Sequence, residues 1–428
     1  MRILLVAAPQ GNGIVPVVPL GLLYVANALE RAGYEIEILD MAFKQSSFKD
    51  LSDRISTLQP DIAAVSMRNI AETAELNNLY DIYRDIVKLL KTRAVVILGG
   101  AGFSIFSEEL KELTGADYGV AGEGEAGIIT LIRNIAEGSL DKANENIIQP
   151  LPGTDFAESN IIAVRRKHWN AYGQYYSLVG SPVPVQTSRG CSFNCSYCSY
   201  PVIQGHQLRT RSIAAVAEEF VSIGNMTGVR EVFFVDSILN ADYKHAFNLS
   251  EEISRSYAGK RKIPWQCCVN PVGLDKPLLY SFKKSGCVGC DLGIDSFSNQ
   301  VLHGLRKGFD GITALQAAKA LEEIGIPYRL SLVLGAPGET AGTLADTVQK
   351  AEMLKPVAVH AFIGVRLYPG TPIVKEFCKP GEKMNTSLLH PGADAFFIAE
   401  ESKETIKNLL SSPPKNWFFS NKSILKIK

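Results

Sequence analysis

Two trains of short apolar runs, each run followed by an amphipathic stretch, limit what this chain can become. In the first train the strand-like runs are Arg2–Ala7, Glu35–Asp40, Asp61–Ser66, Ala94–Gly99 and Asp117–Ala121. The helical stretches are Leu20–Ala32, Phe48–Leu58, Ala74–Leu90, Ser107–Leu113 and Glu125–Ala136. Strict alternation at these lengths predicts an α/β domain with an open parallel sheet, since each strand must return over a sheet face through a helix. Such sheets bind ligands beyond the carboxyl ends of their strands. Glycine-bearing turns fall there: Gly11 and Gly13, then Gly99, Gly100 and Gly102, then Gly122 and Gly124. Glycine lets backbone approach a ligand closely. No G-x-G-x-x-G follows the first run, which argues against a nicotinamide site.

The second train has strand-like runs Val183–Thr187, Glu231–Asp236, Ile263–Val269, Cys290–Asp295, Tyr328–Gly335 and Val357–Leu367. Helical stretches Ser212–Ile223, Tyr243–Tyr257, Lys276–Ser285, Ile312–Ile324 and Thr343–Leu354 separate them, with Ser212 placed to cap the first. Six such units predict a partial barrel with its chemistry at the carboxyl ends of the strands. Residues 139–182 hold Pro150, Pro152, Gly153 and Pro182 and read as a linker. Within it Ile161–Val164 reads as a short strand, and Tyr172, Tyr175 and Tyr176 either line a cleft or pack the linker. Residues 371–428 read as a C-terminal extension, which the family resemblance set out below would place on the substrate side. It has a last helix near Glu400–Leu410, and Phe396 and Phe397 either pack the core, the commoner fate, or supply aromatic wall residues. The domains so drawn are 1–138, 139–182, 183–370 and 371–428.

At the head of the second train stands RGCSFNCSYCSYP, with Cys191, Cys195 and Cys198 in C-x3-C-x2-C spacing. Three thiolates this close can hold three corners of a cubic iron–sulfur cluster. The triplet offers no fourth ligand, so one iron would stay open. Zinc sites pair C-x2-C with a second ligand pair, and none of matching spacing stands nearby. Plain reduced thiols are the remaining reading.

The triplet resembles the signature of radical S-adenosylmethionine (SAM) enzymes. In that family the open iron chelates SAM, and cluster reduction releases a 5′-deoxyadenosyl radical. An aromatic residue, here Tyr197, lies against the cluster. The front of the chain, with VPLGLLYVANALERAGYEIEILD, LGGAGFSI and AGEGE, resembles the Rossmann-like, flavodoxin-like cobalamin-binding domain of cobalamin-dependent radical SAM enzymes. The resemblance implies that Gly11, Leu20, Gly21, Gly99, Gly100, Gly102, Gly122, Glu123, Gly124 and Glu125 surround a corrinoid and its nucleotide tail. Arg68, in VSMRNI, would then lie beneath the corrin, or bind a propionate or solvent. The D-x-H-x-x-G of cobalt-ligating relatives is missing, and none of the six histidines falls in 1–138, so no histidine ligand is expected from this domain.

For the barrel the resemblance implies roles at strand exits. Asp236 of FFVDS would face the SAM methionine or cobalamin, with Ser237 where relatives carry a second acid. Asp295 of GIDS, where relatives often carry Glu, would accept hydrogen bonds from SAM. Gly335, Pro337 and Gly338 of LVLGAPGET would let backbone approach adenine, and Tyr368 of YPGT would follow the last strand. Arg189, Arg209 and Arg211 flank the triplet and either bind a carboxylate or anchor the loop. Cys267, Cys268, Cys287 and Cys290 read as buried thiols, with Cys267 or Cys290 the candidates to reach the site.

The function so implied is C-methylation, with one SAM donating its methyl through cobalamin and a second supplying the radical. A ring contraction, cyclisation or other rearrangement without net methyl transfer is the alternative, and a cobalamin or redox sensor the third reading. A small-molecule or peptide substrate and an external one-electron reductant of flavodoxin or ferredoxin type would be partners. Lys plus Arg and Asp plus Glu balance at 44 each in 428 residues, which argues against nucleic acid. No apolar run reaches the roughly 18 residues of a membrane span. Eight cysteines with a cluster motif fit a reducing cytoplasm.

Overall fold

The computed structural model describes residues 1–11, 15–42, 48–69, 79–139, 146–149, 156, 160–257, 262–377, 396–422 and 425. Gly13, Pro150, Pro152, Gly153 and the first residues of the Ala74–Leu90 stretch lie outside them. The chain divides into two compact units. One runs to Val183 and takes in Asn225–Val229; the other begins at Pro184.

The first unit has strands β1 (Arg2–Ala7), β2 (Glu35–Asp40), β3 (Ile62–Ser66), β4 (Val95–Gly99), β5 (Tyr118–Val120) and β6 (Ile147–Ile148). Their order is β2-β1-β3-β4-β5-β6, and every pairing is parallel. The apolar runs are continuous because helices cover both faces; Ile3, Leu4, Leu5 and Val6 are fully buried. The helices are α1 (Leu20–Arg31), α2 (Phe48–Leu58), α3 (Tyr80–Leu90), α4 (Ala101–Ile105), α5 (Ser107–Thr114), α6 (Gly124–Glu137) and α7 (Ile162–Leu178).

Helix α7 corrects the sequence reading. Ile161–Val164 is not a strand, and 162–178 is one 17-residue helix packed within the first unit. Its inner face carries Val164, Arg165, His168, Trp169, Gly173 and Tyr176. Nε2 of His168 lies 2.9 Å from Oδ2 of Asp40, which also accepts a 2.6 Å hydrogen bond from the Tyr176 hydroxyl. Asp40 ends β2 and is wholly buried. A histidine therefore does belong to the first unit, as a packed partner of Asp40.

The second unit holds strands β7 (Val183–Val185), β8 (Ser188–Arg189), β9 (Arg209–Thr210), β10 (Val232–Phe234), β11 (Trp265–Val269), β12 (Cys287–Asp295), β13 (Tyr328–Leu334), β14 (Ala358–Ile363), β15 (Val365–Arg366), β16 (Phe396–Phe397) and β17 (Trp417–Ser420). Its helices are α8 (Tyr200–Gln204), α9 (Ile213–Gly224), α10 (Tyr243–Ser256), α11 (Lys276–Ser285), α12 (Asn299–Gly304), α13 (Gly311–Ile324), α14 (Ala341–Glu352), α15 (Pro372–Phe377) and α16 (Lys403–Ser411). The main sheet runs β17-β14-β13-β12-β11-β10-β7. Six of its strands are those expected of the partial barrel. The seventh, β17, comes from the tail and pairs parallel with β14. Along β14 burial alternates: Val359, Ala361 and Ile363 are buried, while His360 and Phe362 are exposed. Alternation at period two marks one covered face and one open face.

Candidate active site

The cysteine loop leaves β8 at Gly190, whose φ is +84°. A Cβ there would lie 2.1 Å from the carbonyl oxygen of Gln207, so only glycine fits. Cys191 is buried; Cys195 and Cys198 are half-buried, and all three are free thiols. The loop has no regular structure but is pinned from outside. The Cys191 amide donates to Gly205 O (3.2 Å) and the Ser196 amide to Leu305 O (2.9 Å). The Ile373 amide donates to Ser196 O at 2.8 Å. Three free thiols on one loop suit an iron–sulfur site with an open corner, the cluster's own irons and sulfides filling the space between them. Burial pushes the Cys198 thiol up to about 12 and raises that of Cys195, so metal binding would release their protons.

Beside this loop Asp236 lies just beyond β10. Its Oδ1 accepts from the Thr187 amide (2.8 Å), the Ser188 amide and the Ser188 hydroxyl (2.9 Å). Its Oδ2 is buried and has no partner among the described residues. Burial raises the carboxyl to about 6 even against those donors. The Ser237 hydroxyl donates to Gly190 O at 3.1 Å, tying this strand exit to the cysteine loop. Glu339 repeats the pattern. Its Oε2 accepts from the Gly335 amide, its Oε1 is buried and unpartnered among the described residues, and burial raises it to about 7. Orphaned buried carboxylate oxygens are rare in finished interiors and suit a ligand bearing a cationic amino group.

In the first unit, β1 and β3 are neighbours whose connections leave in opposite directions. This switch point, at the carboxyl ends of the strands, is where doubly wound sheets bind ligands. Gln10 spans it. Its Oε1 accepts from Arg68 Nη1 (3.2 Å) and the Val17 amide (3.1 Å), and its Nε2 donates to Val17 O (2.7 Å). Asn69 Nδ2 donates to Gln10 O at 3.0 Å. Arg68 is exposed above them. Gly11, Gly100 and Gly122, at three strand exits of this edge, have φ of +98°, +97° and +94°. Gly21, near the start of α1, would carry a Cβ into open space.

A family model for the B12 binding domain matches residues 15–132, and one for the Radical SAM superfamily matches 185–351. The chain joins a cobalamin-binding domain to a radical SAM domain. An "Uncharacterized methyltransferase" of Pyrococcus horikoshii is 26% identical over 87% of this chain and 82% of its own length. The tryptophan 2-C-methyltransferase of Streptomyces laurentii is 25% identical over 87% of this chain and 74% of its own. The solved radical SAM methyltransferase TsrM of Kitasatospora setae, with cobalamin and a 4Fe–4S cluster bound, superposes with a TM-score of 0.77. It is 24% identical and covers 88% of this chain and 77% of that one. No helix among the described residues is long and apolar enough to cross a membrane.

In the radical SAM unit Tyr197 lies close enough to Cys195 and Cys198 to feel their charge, and the Asp236–Ser237 strand exit is bonded to Ser188 and Gly190 at the root of the loop, while Asp295 is engaged by protein groups. Asp295 Oδ2 accepts from the Tyr197 hydroxyl (2.7 Å) and lies 2.8 Å from Lys307 Nζ, so protein groups already engage it. Gly335 (φ +85°) faces the tail: a Cβ there would meet Ile398 at 2.8 Å, and its carbonyl accepts from the Ala399 amide. Pro337 O lies 2.5 Å from where a Cβ on Gly304 would be, and Gly338 (φ +81°) packs near Gln300. The Tyr368 ring stacks under Arg366 at 5.2 Å. Phe396 is buried and pairs with Arg366 in the short β15–β16 ladder.

Among the arginines, Arg189 Nε donates to Gln186 Oε1, Arg209 to Gln204 O and Arg211 to both Gln186 O and Glu219, which is the anchoring role. Cys267, Cys287 and Cys290 are buried together, with Sγ of Cys287 and Cys290 3.8 Å apart. Cys268, on the other face of β11, is the more accessible thiol of this group.

In the cobalamin-binding unit Gly100 and Gly102 press on the β3 exit. Their Cβ atoms would meet Met67 O at 2.7 Å and Arg68 O at 3.1 Å. Gly99 closes β4, and Leu20 is buried at the start of α1. Glu123 precedes α6 and Glu125 lies in its first turn, while Gly124 lets α6 approach Val25. Sequence reasoning missed Gln10, Glu339 and Lys307. A glutamate inside the APGET turn was the available sign for Glu339; Gln10 and Lys307 carry no local one.

Proposed function

We propose that the chain is a cobalamin-dependent radical SAM C-methyltransferase. The observation that carries the reading is the free three-thiol loop beside a buried Asp236 oxygen with no partner among the described residues. Cys191, Cys195 and Cys198 would hold the cluster. Asp236, and at greater reach Glu339, would take the cationic amino group of SAM. Arg68, with the turns at Gly11, Gly99–Gly102 and Gly122, would hold the corrinoid, with Leu20, Gly21, Glu123, Gly124 and Glu125 around its nucleotide tail. When bound, cluster and SAM supply a carbon-centred radical and the corrinoid carries a methyl group. The protein's part is to hold these groups, keep Asp236 ionised against a cation, and screen the site from water.

The substrate is a small molecule or peptide; balanced charge over the chain supports that more than a polyanion. An external one-electron reductant and a reducing cytoplasm belong to the same reading. The test is product counting with anaerobically reconstituted protein, SAM and reductant. Methyl transfer must release S-adenosylhomocysteine and a product one methylene heavier. Release of 5′-deoxyadenosine without S-adenosylhomocysteine would replace it with a rearrangement. Release of neither would leave a sensor.

A further inference from the structure

Behind the cysteine loop the radical SAM unit buries a full ion pair. Lys307 is 6% exposed and Asp295 4%. The ammonium lies 2.8 Å from Asp295 Oδ2, the oxygen that also accepts from the Tyr197 hydroxyl. Tyr197 stands between Cys195 and Cys198 in the sequence. Lys307 Nζ lies 5.9 Å from the centre of its ring and 5.7 Å from that of Phe309. The segment carrying Lys307 is fastened to the cysteine loop itself. Ser196 donates through its amide to Leu305 O (2.9 Å) and through its hydroxyl to Gly304 O (3.4 Å).

Two non-glycine residues take left-handed backbone to build this arrangement: Asp295 at φ +67° and Arg306 at +55°. Such conformations cost about 1–3 kcal/mol each and persist where surrounding structure enforces them. The pair also carries a desolvation penalty that apolar residues of the same volume would avoid. A buried ion pair built on strained backbone beside metal-binding thiols is therefore poorly explained by stability alone. An ammonium has three donors. Asp295 is its only hydrogen-bond partner among the described residues, so donors remain. The thiols of Cys195 and Cys198 feel its charge, which opposes the rise that burial causes.

We propose that Lys307, held by Asp295 and lodged against Tyr197, is a positioning residue that sets the charge of the iron–sulfur site. Three thiolates and a cluster gather negative charge in a half-buried loop, and cluster potentials follow net charge and hydrogen bonds to sulfur. The cation offsets that charge and makes the cluster easier to reduce. Asp295, by neutralising part of the cation, limits the effect. This inference rests on the cluster reading of the triplet.

The experiment is a redox titration of the anaerobically reconstituted full chain without SAM, followed by the spin signal of the reduced cluster, with iron counted for each sample. Lys307→Met should need a more reducing poise. At the poise that half-reduces the wild type, its reduced fraction should fall severalfold. Lys307→Arg should restore the wild-type curve. Asp295→Asn should move it the opposite way, since asparagine tolerates left-handed backbone and leaves the ammonium uncompensated. A purely structural role would shift both variants alike or neither. Fully loaded Lys307→Met with the wild-type curve overturns the proposal. Should Lys307→Met take up no iron, Asp295→Asn decides: a shift toward easier reduction supports it, and no shift overturns it. Wild-type protein that binds no iron refutes the cluster reading instead.

Discussion

Replacing Asp236 with asparagine should make the protein more stable and worse at its task. The carboxyl is 2% exposed and raised by burial from 3.8 to about 6. That gap is a penalty of about 3 kcal/mol on the ionised form. Because the folded-state value lies above the unfolded one, the folded chain binds more protons between them. Stability therefore falls as pH rises through this window, and the penalty is complete above about pH 6. Asparagine keeps an acceptor for the Thr187 and Ser188 donors and carries no charge. Its amide nitrogen would replace the unpartnered Oδ2 and go unpaired, costing about 1 kcal/mol. The expected net gain is about 2 kcal/mol near neutral pH. Denaturant unfolding of wild type and Asp236→Asn across pH checks it. The difference between the two should shrink by about 2 kcal/mol between about pH 7 and pH 4.5. SAM affinity, measured in parallel, should drop by about tenfold or more, the worth of a hydrogen bond to a charged group. A difference in stability that stays flat with pH would refute the electrostatic reasoning. Unchanged SAM binding would refute the assignment of the orphaned oxygen.

Alanine at Cys191, Cys195 or Cys198 should abolish bound iron, while Cys290→Ala, in the buried thiol group, should keep it; iron per chain decides. Gly100→Ala puts a Cβ 2.7 Å from Met67 O at φ +97° and should cost about 2–4 kcal/mol in the first unit, with loss of corrinoid binding. A denaturation midpoint equal to wild type would contradict it. Asp40→Ala takes the carboxylate from buried His168 and Tyr176 and should cost about 2–4 kcal/mol, whereas Tyr176→Phe should cost about 1 kcal/mol. Equal losses in the two would show that the carboxylate is not the centre of that cluster.

The alternation of runs and amphipathic stretches was enough for five strands of the first sheet and six of the second, because parallel strands buried on two faces leave few other ways to cover them. Helix α7 escaped for a physical reason. Its buried face is Val164, Arg165, His168, Trp169, Gly173 and Tyr176, at helical spacing but built from polar and aromatic residues. An apolar periodicity cannot show a face whose burial is satisfied by Asp40 and hydrogen bonds. Strand β17 escaped because four residues after a Pro-Pro pair carry almost no pattern of their own. The cysteine triplet was legible because its ligands are local in sequence. The Tyr197–Asp295 bond joins residues 98 apart, and nothing near either announces the other.

Glycines and acids at strand exits show where sequence reading must stop. A glycine at a turn satisfies the same demand whether a ligand or the chain itself comes close. At Gly100 and Gly102 the neighbour is the backbone of Met67 and Arg68, and at Gly335 it is Ile398. These glycines shape the site by packing the chain around it. The two aspartates divide in the same way. Asp236 and Asp295 both stand at strand exits beside the cysteine loop and look equivalent in sequence. Asp236 keeps one oxygen without a partner among the described residues, whereas Asp295 gives its Oδ2 to Tyr197 and Lys307. On the function proposed above, the first would receive a ligand's cation. The second already holds the protein's own, so Asp236 and Asp295 variants should part company, one in SAM affinity and the other in cluster potential.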